Sequence, residues 1–478
     1  MTGLGSERAA RLRAAFSAGG TWRQGLWVAA IALAARIAIL LWSGERFPPA
    51  DDGTYYQVFA ERLSRGLGYT WAWPDGAVTY AAHYPVGYPA LLGLLYRIFG
   101  SSPIVAGLAN AVIGALGVLG VHRIARAAAP AGPAAVAGLT AALHPSLVFY
   151  TPALMTEGVT AALLAILGAV ALEVEGRERP RFGWLALGLG AGFLVLVRPQ
   201  ALLLVPVLGG LSRLRAGWRS QAGAALLVTA LAFAVVLPWT ARNCVRMDRC
   251  VLVSANGGWN LFIGAAPGAT GSFVLLERLG VPAECREVYG EADKDRCFGN
   301  AGLRHLLAEP RRYLSLVPAK LLHTFDWSGA PGYYLHTSNS AAFGAEAKLS
   351  LGVVEALVER LVVLAGVVGL ARADGPRRRA RRLCAAVSGL LLLMKGAWIA
   401  HLLLVVQAAL LGRSLRNRPD AVLAASAVLA TALTHAAFFG AGRYGLVCVA
   451  VLSALSASAW QAGTKAKPAG DGKGSAGF

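Results

Sequence analysis

The stretch Gly25-Leu26-Trp27-Val28-Ala29-Ala30-Ile31-Ala32-Leu33-Ala34-Ala35-Arg36-Ile37-Ala38-Ile39-Leu40-Leu41-Trp42 is apolar throughout except at Arg36. It is followed closely by Phe47-Pro48-Pro49-Ala50-Asp51-Asp52-Gly53-Thr54-Tyr55-Tyr56. A run of this kind has the length of a helix that crosses a bilayer, for which about 20 residues suffice. Arg8, Arg11, Arg13 and Arg23 precede it, and no A-x-A cleavage site follows it. It therefore reads as a first spanning helix with a cytosolic N-terminal segment (residues 1–24) rather than as a signal peptide. Arg36 inside the span is costly unless it faces protein or water.

The rest of the chain agrees. Of 478 residues, 56% are hydrophobic and only 15% charged, whereas a soluble domain carries roughly 25% charged residues. So few charges cannot cover the surface of soluble domains, and so apolar a chain would not stay solvated as a disordered one. The net charge of +20 would point to nucleic acid in a soluble protein. Here Lys and Arg gather in short loops beside apolar runs, as the positive-inside rule requires, and no nucleic-acid partner is expected.

The expectation is an all-α integral membrane protein with about twelve (11–13) transmembrane helices, its membrane domain covering residues 25–461. Pro103 to His122, Ala134 to Tyr150, Met155 to Val174 and Gly183 to Val197 read as spans. So do Ala201 to Leu211, Gln221 to Pro238, Leu349 to Leu370, Ala421 to Phe439 and Tyr444 to Trp460. Cys384 to Leu411 is too long for one untilted span, and a hairpin of short helices would put Lys395 at its outer turn. Basic loops, among them Arg177, Arg179 and Arg181 and the block Arg377 to Arg382, mark the cytosolic side. Residues 462–478, rich in Gly and Lys, read as a disordered cytosolic tail.

Two long segments, about 44–102 and 240–348, fall on the opposite face and carry amphipathic stretches such as Tyr55 to Leu63 and Ala301 to Leu322. Loops this long are usually functional. Four of the six cysteines, Cys244, Cys250, Cys285 and Cys297, lie in the second segment. Their spacings match no common zinc pattern, and an external compartment favours two disulfides of undetermined pairing. Gly188-Leu189-Gly190-Ala191-Gly192 superficially resembles a nucleotide loop. It lies inside a span with no strand before it, so close helix packing accounts for it.

Adjacent carboxylates at a membrane mouth set Asp51 and Asp52 apart. They suit a solvated turn or helix N-cap, or a general base at the water-facing edge of a buried site. Polar residues recur at the same level: His83, Glu157, Arg198, Arg242, Arg443 with Tyr444, and Lys395 if the hairpin forms. Singly, each is explained by snorkelling, capping or a satisfied core role. Together they place cations suited to a lipid-borne phosphate beside carboxylates suited to taking a proton from a hydroxyl.

The ordered set Asp51-Asp52-Gly53-Thr54-Tyr55-Tyr56, Tyr84-Pro85-Val86-Gly87-Tyr88-Pro89, Pro152 with Glu157, Val197-Arg198-Pro199, Pro238-Trp239-Thr240-Ala241-Arg242-Asn243, Asn256 to Gly264 and Gly442-Arg443-Tyr444 resembles the polytopic GT-C glycosyltransferases. Within them it is similar to protein O-mannosyltransferases, aminoarabinose transferases and related bacterial membrane enzymes. The resemblance implies a GT-C fold and inverting transfer of a sugar from a polyprenyl-phosphate donor at the external, periplasmic side of a plasma (inner) membrane, with both termini cytosolic. Membrane lipid and a lipid, glycan or protein acceptor are the partners implied. Asp51 corresponds to the family's catalytic acidic residue, and Asp52 to a position where relatives often carry Glu. Arg198, Arg242 and Arg443 are candidate phosphate contacts. Some members use a divalent metal, for which Asp51, Asp52, Glu157 and His83 could supply ligands. The sequence has no His pair at helical spacing, and no metal or other cofactor is expected to be required. A polysaccharide ligase or polymerase and a lipid-linked sugar flippase are the rival readings. The flippase would place its ionisable residues near the bilayer midplane, unlike the clustering here.

Overall fold

The computed structural model describes residues 3–176, 180–326 and 329–460. Arg177, Arg179 and the expected tail 462–478 lie outside the described residues. Among those described, six helices are long and apolar enough to cross a membrane: Trp22–Ser43, Pro103–Ala128, Thr156–Glu175, Trp218–Arg246, Pro419–Ala437 and Gly442–Trp460. Four shorter apolar segments, Ala131–Ala142, Arg181–Val197, Pro199–Leu211 and Ala397–Leu410, complete the apolar set. The 28-residue helix Ala345–Arg372 falls outside it because Glu355, Glu359 and Arg360 interrupt its middle.

Prolines decide where the apolar runs break. Ala134 to Tyr150 is two helices, Ala131–Ala142 and Pro145–Phe149. His144, in extended conformation before Pro145, cannot continue the first of them. The run 199–211 opens as a 3₁₀ turn, Pro199–Leu204, before Val205–Leu211 becomes α-helical. Ala301 to Leu322 is cut at Pro310 and again near Pro318, giving Glu291–Ala308, Pro310–Ser315 and Val317–Phe325. The expected end at Pro238 is corrected in the other direction, since that helix runs on to Arg246. Thr240 there donates to the Val236 carbonyl, tying the turn that contains the proline, which brings no N–H of its own.

Arg378–Leu392 and Ala397–Leu410 form the expected hairpin, with Lys395 exposed at its turn. Gly188 and Gly192 pack against Leu231 and Ala232 of the neighbouring helix, where a side chain would clash. The glycine run therefore serves helix contact.

Gly442–Ser456 is almost wholly buried and packs against Thr156–Glu175, Pro419–Ala437 and Ala345–Arg372. Around it a core of Ala, Val and Leu fills the bundle. The first external segment contributes the helix Asp52–Ser64, a small antiparallel hairpin pairing Thr70–Ala72 with Val78–Tyr80, and the helix Gly87–Phe99. The second carries Gly257–Ala265, Glu291–Ala308 and Ala330–Ser338. In it Cys244 is bonded to Cys250 and Cys285 to Cys297.

At one place this outer layer touches the bundle backbone to backbone. Gly264 lies directly on the Phe438 carbonyl, where a Cβ would not fit, and the Gly440 N–H donates to the Gly271 carbonyl at 2.9 Å. The loop before Arg443 is thereby held from outside.

Candidate functional site

Asp51 and Asp52 part company at the start of their helix. Asp52 is its first residue and turns inward. Its Oδ1 accepts from the Tyr84 hydroxyl at 3.1 Å and its Oδ2 from Arg443 Nη1 at 2.7 Å. Burial by itself would raise the Asp52 pKa, but the charge and hydrogen bond of Arg443, aided by Tyr84, outweigh it and hold the carboxyl below the ordinary range. The Tyr84 hydroxyl is pushed upward by burial and by the Asp52 charge. Asp51 stands at the N-cap position, exposed, with φ 49°, a left-handed conformation that is uncommon outside glycine. Its side chain makes no cap bond, and no hydrogen bond or ion pair, among the described residues. The N-cap account of Asp51 is therefore unfilled, whereas Asp52 is fully engaged.

Below Asp52 the charges alternate. Glu157, in the first turn of Thr156–Glu175 and 2% exposed, receives Arg198 Nη1 at 3.1 Å, Arg443 Nε at 3.6 Å and the Tyr150 hydroxyl at 3.2 Å. Arg198 follows the end of Arg181–Val197 in extended conformation, as expected for a residue before Pro199. It also donates to the Thr156 hydroxyl at 3.1 Å. Its Nε and Nη2 have no protein acceptor among the described residues. Both guanidinium groups lie over the Tyr444 ring, at 5.4 Å from Arg198 and 5.2 Å from Arg443. His435 stacks on the same ring at 4.0 Å and is anchored through Nδ1 to the Phe439 carbonyl. Beside Arg198 lies a small cavity of about 20 Å³, lined by Thr160, Leu204, Thr431, His435 and Val447.

The other predicted residues have different surroundings. Arg242 lies outside this cluster: it donates to the carbonyls of Ala81 and Tyr69, both at 2.8 Å, and lies 4.7 Å over Trp239. It thus holds the small hairpin of the first external segment. His83 packs edge-on against Tyr84 at 4.9 Å and Trp259 at 5.5 Å. Its backbone N–H and that of Ala82 both donate to Glu291. Lys395, at its hairpin turn, enters none of the cluster's contacts described above. Among the described residues, no three of His, Cys, Asp and Glu are grouped to hold a metal ion.

Tyr84 was quoted as part of a motif without a role of its own, and Tyr150, Thr156 and His435 were not singled out by sequence reasoning. Tyr84 and Tyr150 carried a usable signal: each is a tyrosine next to a proline-containing turn in a segment flanking a candidate carboxylate. His435 carried none, because its partners are a ring and a carbonyl four or more residues away.

The arrangement can neutralise an arriving anion with two arginines, one of which has free donors, while leaving one unpaired carboxylate at the water's edge. Proteins with known sequence patterns add a membrane setting: a family described as predicted membrane protein (DUF2142) matches residues 74–248. No curated protein matches the chain. Among solved structures it is similar to the oligosaccharyltransferase AglB of Archaeoglobus fulgidus, in complex with an inhibitory peptide and a dolichol-phosphate, at 15% identity and a TM-score of 0.45. That match covers 91% of this chain and 50% of the other, so the chain spans about half the length of that relative. It is also similar to ArnT of Cupriavidus metallidurans bound to undecaprenyl phosphate, at 17% identity and a TM-score of 0.39, covering 90% of this chain and 77% of the other.

Proposed function

We propose that this chain is an inverting glycosyltransferase of the GT-C type. It moves a sugar from a polyprenyl-phosphate carrier to an acceptor hydroxyl at the external mouth of its helix bundle. The observation that carries this reading is the contrast at one mouth between an unpaired Asp51 and a paired set, Asp52, Arg443, Glu157 and Arg198.

In this scheme the donor phosphate lies against Arg198 and Arg443. Asp51 takes the proton of the acceptor hydroxyl. The acceptor oxygen attacks the anomeric carbon, and the bond from that carbon to the phosphate oxygen breaks. The phosphate keeps the electron pair and is stabilised by guanidinium donors rather than by protonation. A single displacement inverts the anomeric centre. Asp52 is a poor base because Arg443 lowers its proton affinity, and it serves to fix Arg443 and Tyr84. The phosphate leaves already charged, so the scheme needs no metal.

The test is transfer of radiolabelled sugar from a panel of polyprenyl-phosphate pentoses and hexoses, without ATP, by the purified protein. Asp51→Asn should keep expression and donor binding and lose transfer by about 10²–10⁴-fold, the range for general-base removal. Asp52→Asn should lose less. Near-wild-type transfer by folded Asp51→Asn protein removes the assignment, and movement of the intact carrier without transfer favours a flippase.

A further inference from the structure

A second cavity opens on the external face. It measures about 490 Å³ and is lined chiefly by Asp248, Arg249, Asp295 and Arg296, with Val251 and Leu252 as its main apolar surface. Pockets that hold small ligands fall within roughly 300–1,000 Å³. One wall is the turn after Trp218–Arg246, which the Cys244–Cys250 bond closes and at whose tip Asp248 takes φ 53°. The other wall is the helix Glu291–Ala308, tied by Cys297 to Cys285. Two covalent ties thus fix the two sides of the cavity.

Its chemistry is specific. Two carboxylates and two guanidinium groups line it, and one of the guanidinium groups is already neutralised by a carboxylate outside the lining. Arg249 is paired with Asp293, and Asp295 Oδ1 accepts from the Trp259 N–H at 3.0 Å. Asp248 and Arg296 make no hydrogen bond or ion pair among the described residues. Exposed, unpaired charges of both signs in one cavity, Asp248 and Arg296, offer acceptors and donors at once, as a ligand rich in hydroxyl groups requires. With Arg249 neutralised by Asp293, the remaining charge of the lining is negative, which disfavours a polyanion.

The cavity wall is joined to the mouth by continuous contacts. Asp295 holds the Trp259 backbone, Trp259 meets the His83 ring, His83 meets Tyr84, and the Tyr84 hydroxyl reaches Asp52. One turn before Asp295, Glu291 accepts from the N–H groups of Ala82 at 2.5 Å and His83 at 2.9 Å. The same helix therefore lines the cavity and sets the position of the segment facing Asp52. Burial pushes the Asp295 carboxyl upward against the two backbone donors that steady it.

We propose that this cavity binds the acceptor, and that the acceptor is a neutral glycan, with roughly one or two sugar rings seated between Asp248 and Arg296. The proposal rests on the glycosyltransferase reading for the acceptor role but not for glycan binding itself.

The experiment uses the full chain in lipid nanodiscs and saturation-transfer difference NMR with neutral methyl disaccharides: maltoside, lactoside and mannobioside. Polyprenyl phosphate binding is measured on the same samples. At least one disaccharide should bind, and Arg296→Ala and Asp248→Asn should each weaken that binding at least tenfold while leaving polyprenyl phosphate binding unchanged. Both residues are exposed and outside the catalytic cluster, so folding should survive. Absence of disaccharide binding, equal binding by both variants, or binding of a Ser/Thr-containing peptide in place of the disaccharides overturns the glycan assignment. Disaccharide binding by a protein that does not bind polyprenyl phosphate overturns the acceptor role and, separately, the glycosyltransferase reading.

Discussion

Arginines at opposite ends of the bundle are satisfied in different currencies. On the basic-loop side, Arg381 is fully buried and donates to the carbonyls of Leu370, Ala373, Gly375 and Pro376. It thereby closes the C-terminal end of Ala345–Arg372, whose last carbonyls have no partners within the helix. At the mouth, Arg198 and Arg443 are held by the carboxylates of Glu157 and Asp52. A guanidinium group bound to carbonyls has partners it cannot exchange without unravelling a helix end. One bound to carboxylates sits in a charge-balanced set whose anions a phosphate can replace. Arg242 is the instructive intermediate: it belongs to the mouth by position and to the scaffold by its bonds to Ala81 and Tyr69.

This contrast is open to attack by substitution. Arg198→Ala should have the largest effect, because it leaves the buried Glu157 with the Tyr150 hydroxyl and, as its cation, the longer contact to Arg443. Breaking a buried pair costs about 3–5 kcal/mol, so a large loss of thermal stability should accompany loss of donor use. Arg198→Lys should recover stability more than turnover, since an ammonium replaces the charge but not the fork. Arg381→Ala should cost about 1–3 kcal/mol in a denaturation melt by leaving buried carbonyls unsatisfied. The folded fraction should keep its turnover, and a kcat loss beyond the folded fraction would erase the distinction between the two ends.

Arg242→Ala should cost about 1 kcal/mol, less than Arg381 because its site is more exposed. If Arg242 contacts the donor, its loss will raise the donor KM while stability holds; if it is scaffold, the melt will move and the KM will not. The smallest effect is expected from pH. The folded-state pKa of Asp52 lies below its ordinary value of 3.8. Its pair with Arg443 therefore contributes fully above that value, and the contribution fades as the pH falls through the depressed one. Melts between pH 5 and 3 should show this loss in the wild type and a weaker pH dependence in Asp52→Asn.

How far the sequence reaches depends on the kind of interaction. Apolar runs and basic loops announced a membrane bundle because burial and desolvation act on composition, which needs no partner. The Cys384 to Leu411 run disclosed its hairpin because a single straight helix of that length would overrun the bilayer. Helix ends were less legible. Pro145 and Pro310 ended helices, yet Pro238 did not, and a proline alone does not reveal whether its neighbours will accommodate it. At the mouth, Asp52, Glu157, Arg198 and Arg443 were visible as charged residues stranded beside apolar runs. What could not be read was which of the two adjacent carboxylates, Asp51 or Asp52, meets an arginine 391 residues away. Glu291 and Asp295 went unnoticed for the same reason, since nothing local marks an acid that will hold backbone N–H groups of distant loops.

That separation also sets a clock for biosynthesis. At about 5–20 residues per second, roughly 20–80 seconds pass between the emergence of Asp52 from the ribosome and that of Arg443. Throughout this interval Asp52 and Glu157 are already made, and their shared counter-ion is not. A chain arrested before Gly442–Trp460 is inserted therefore carries acids at the membrane edge without that partner. Such a chain is chemically distinct from the mature protein at the point where its activity is proposed to reside.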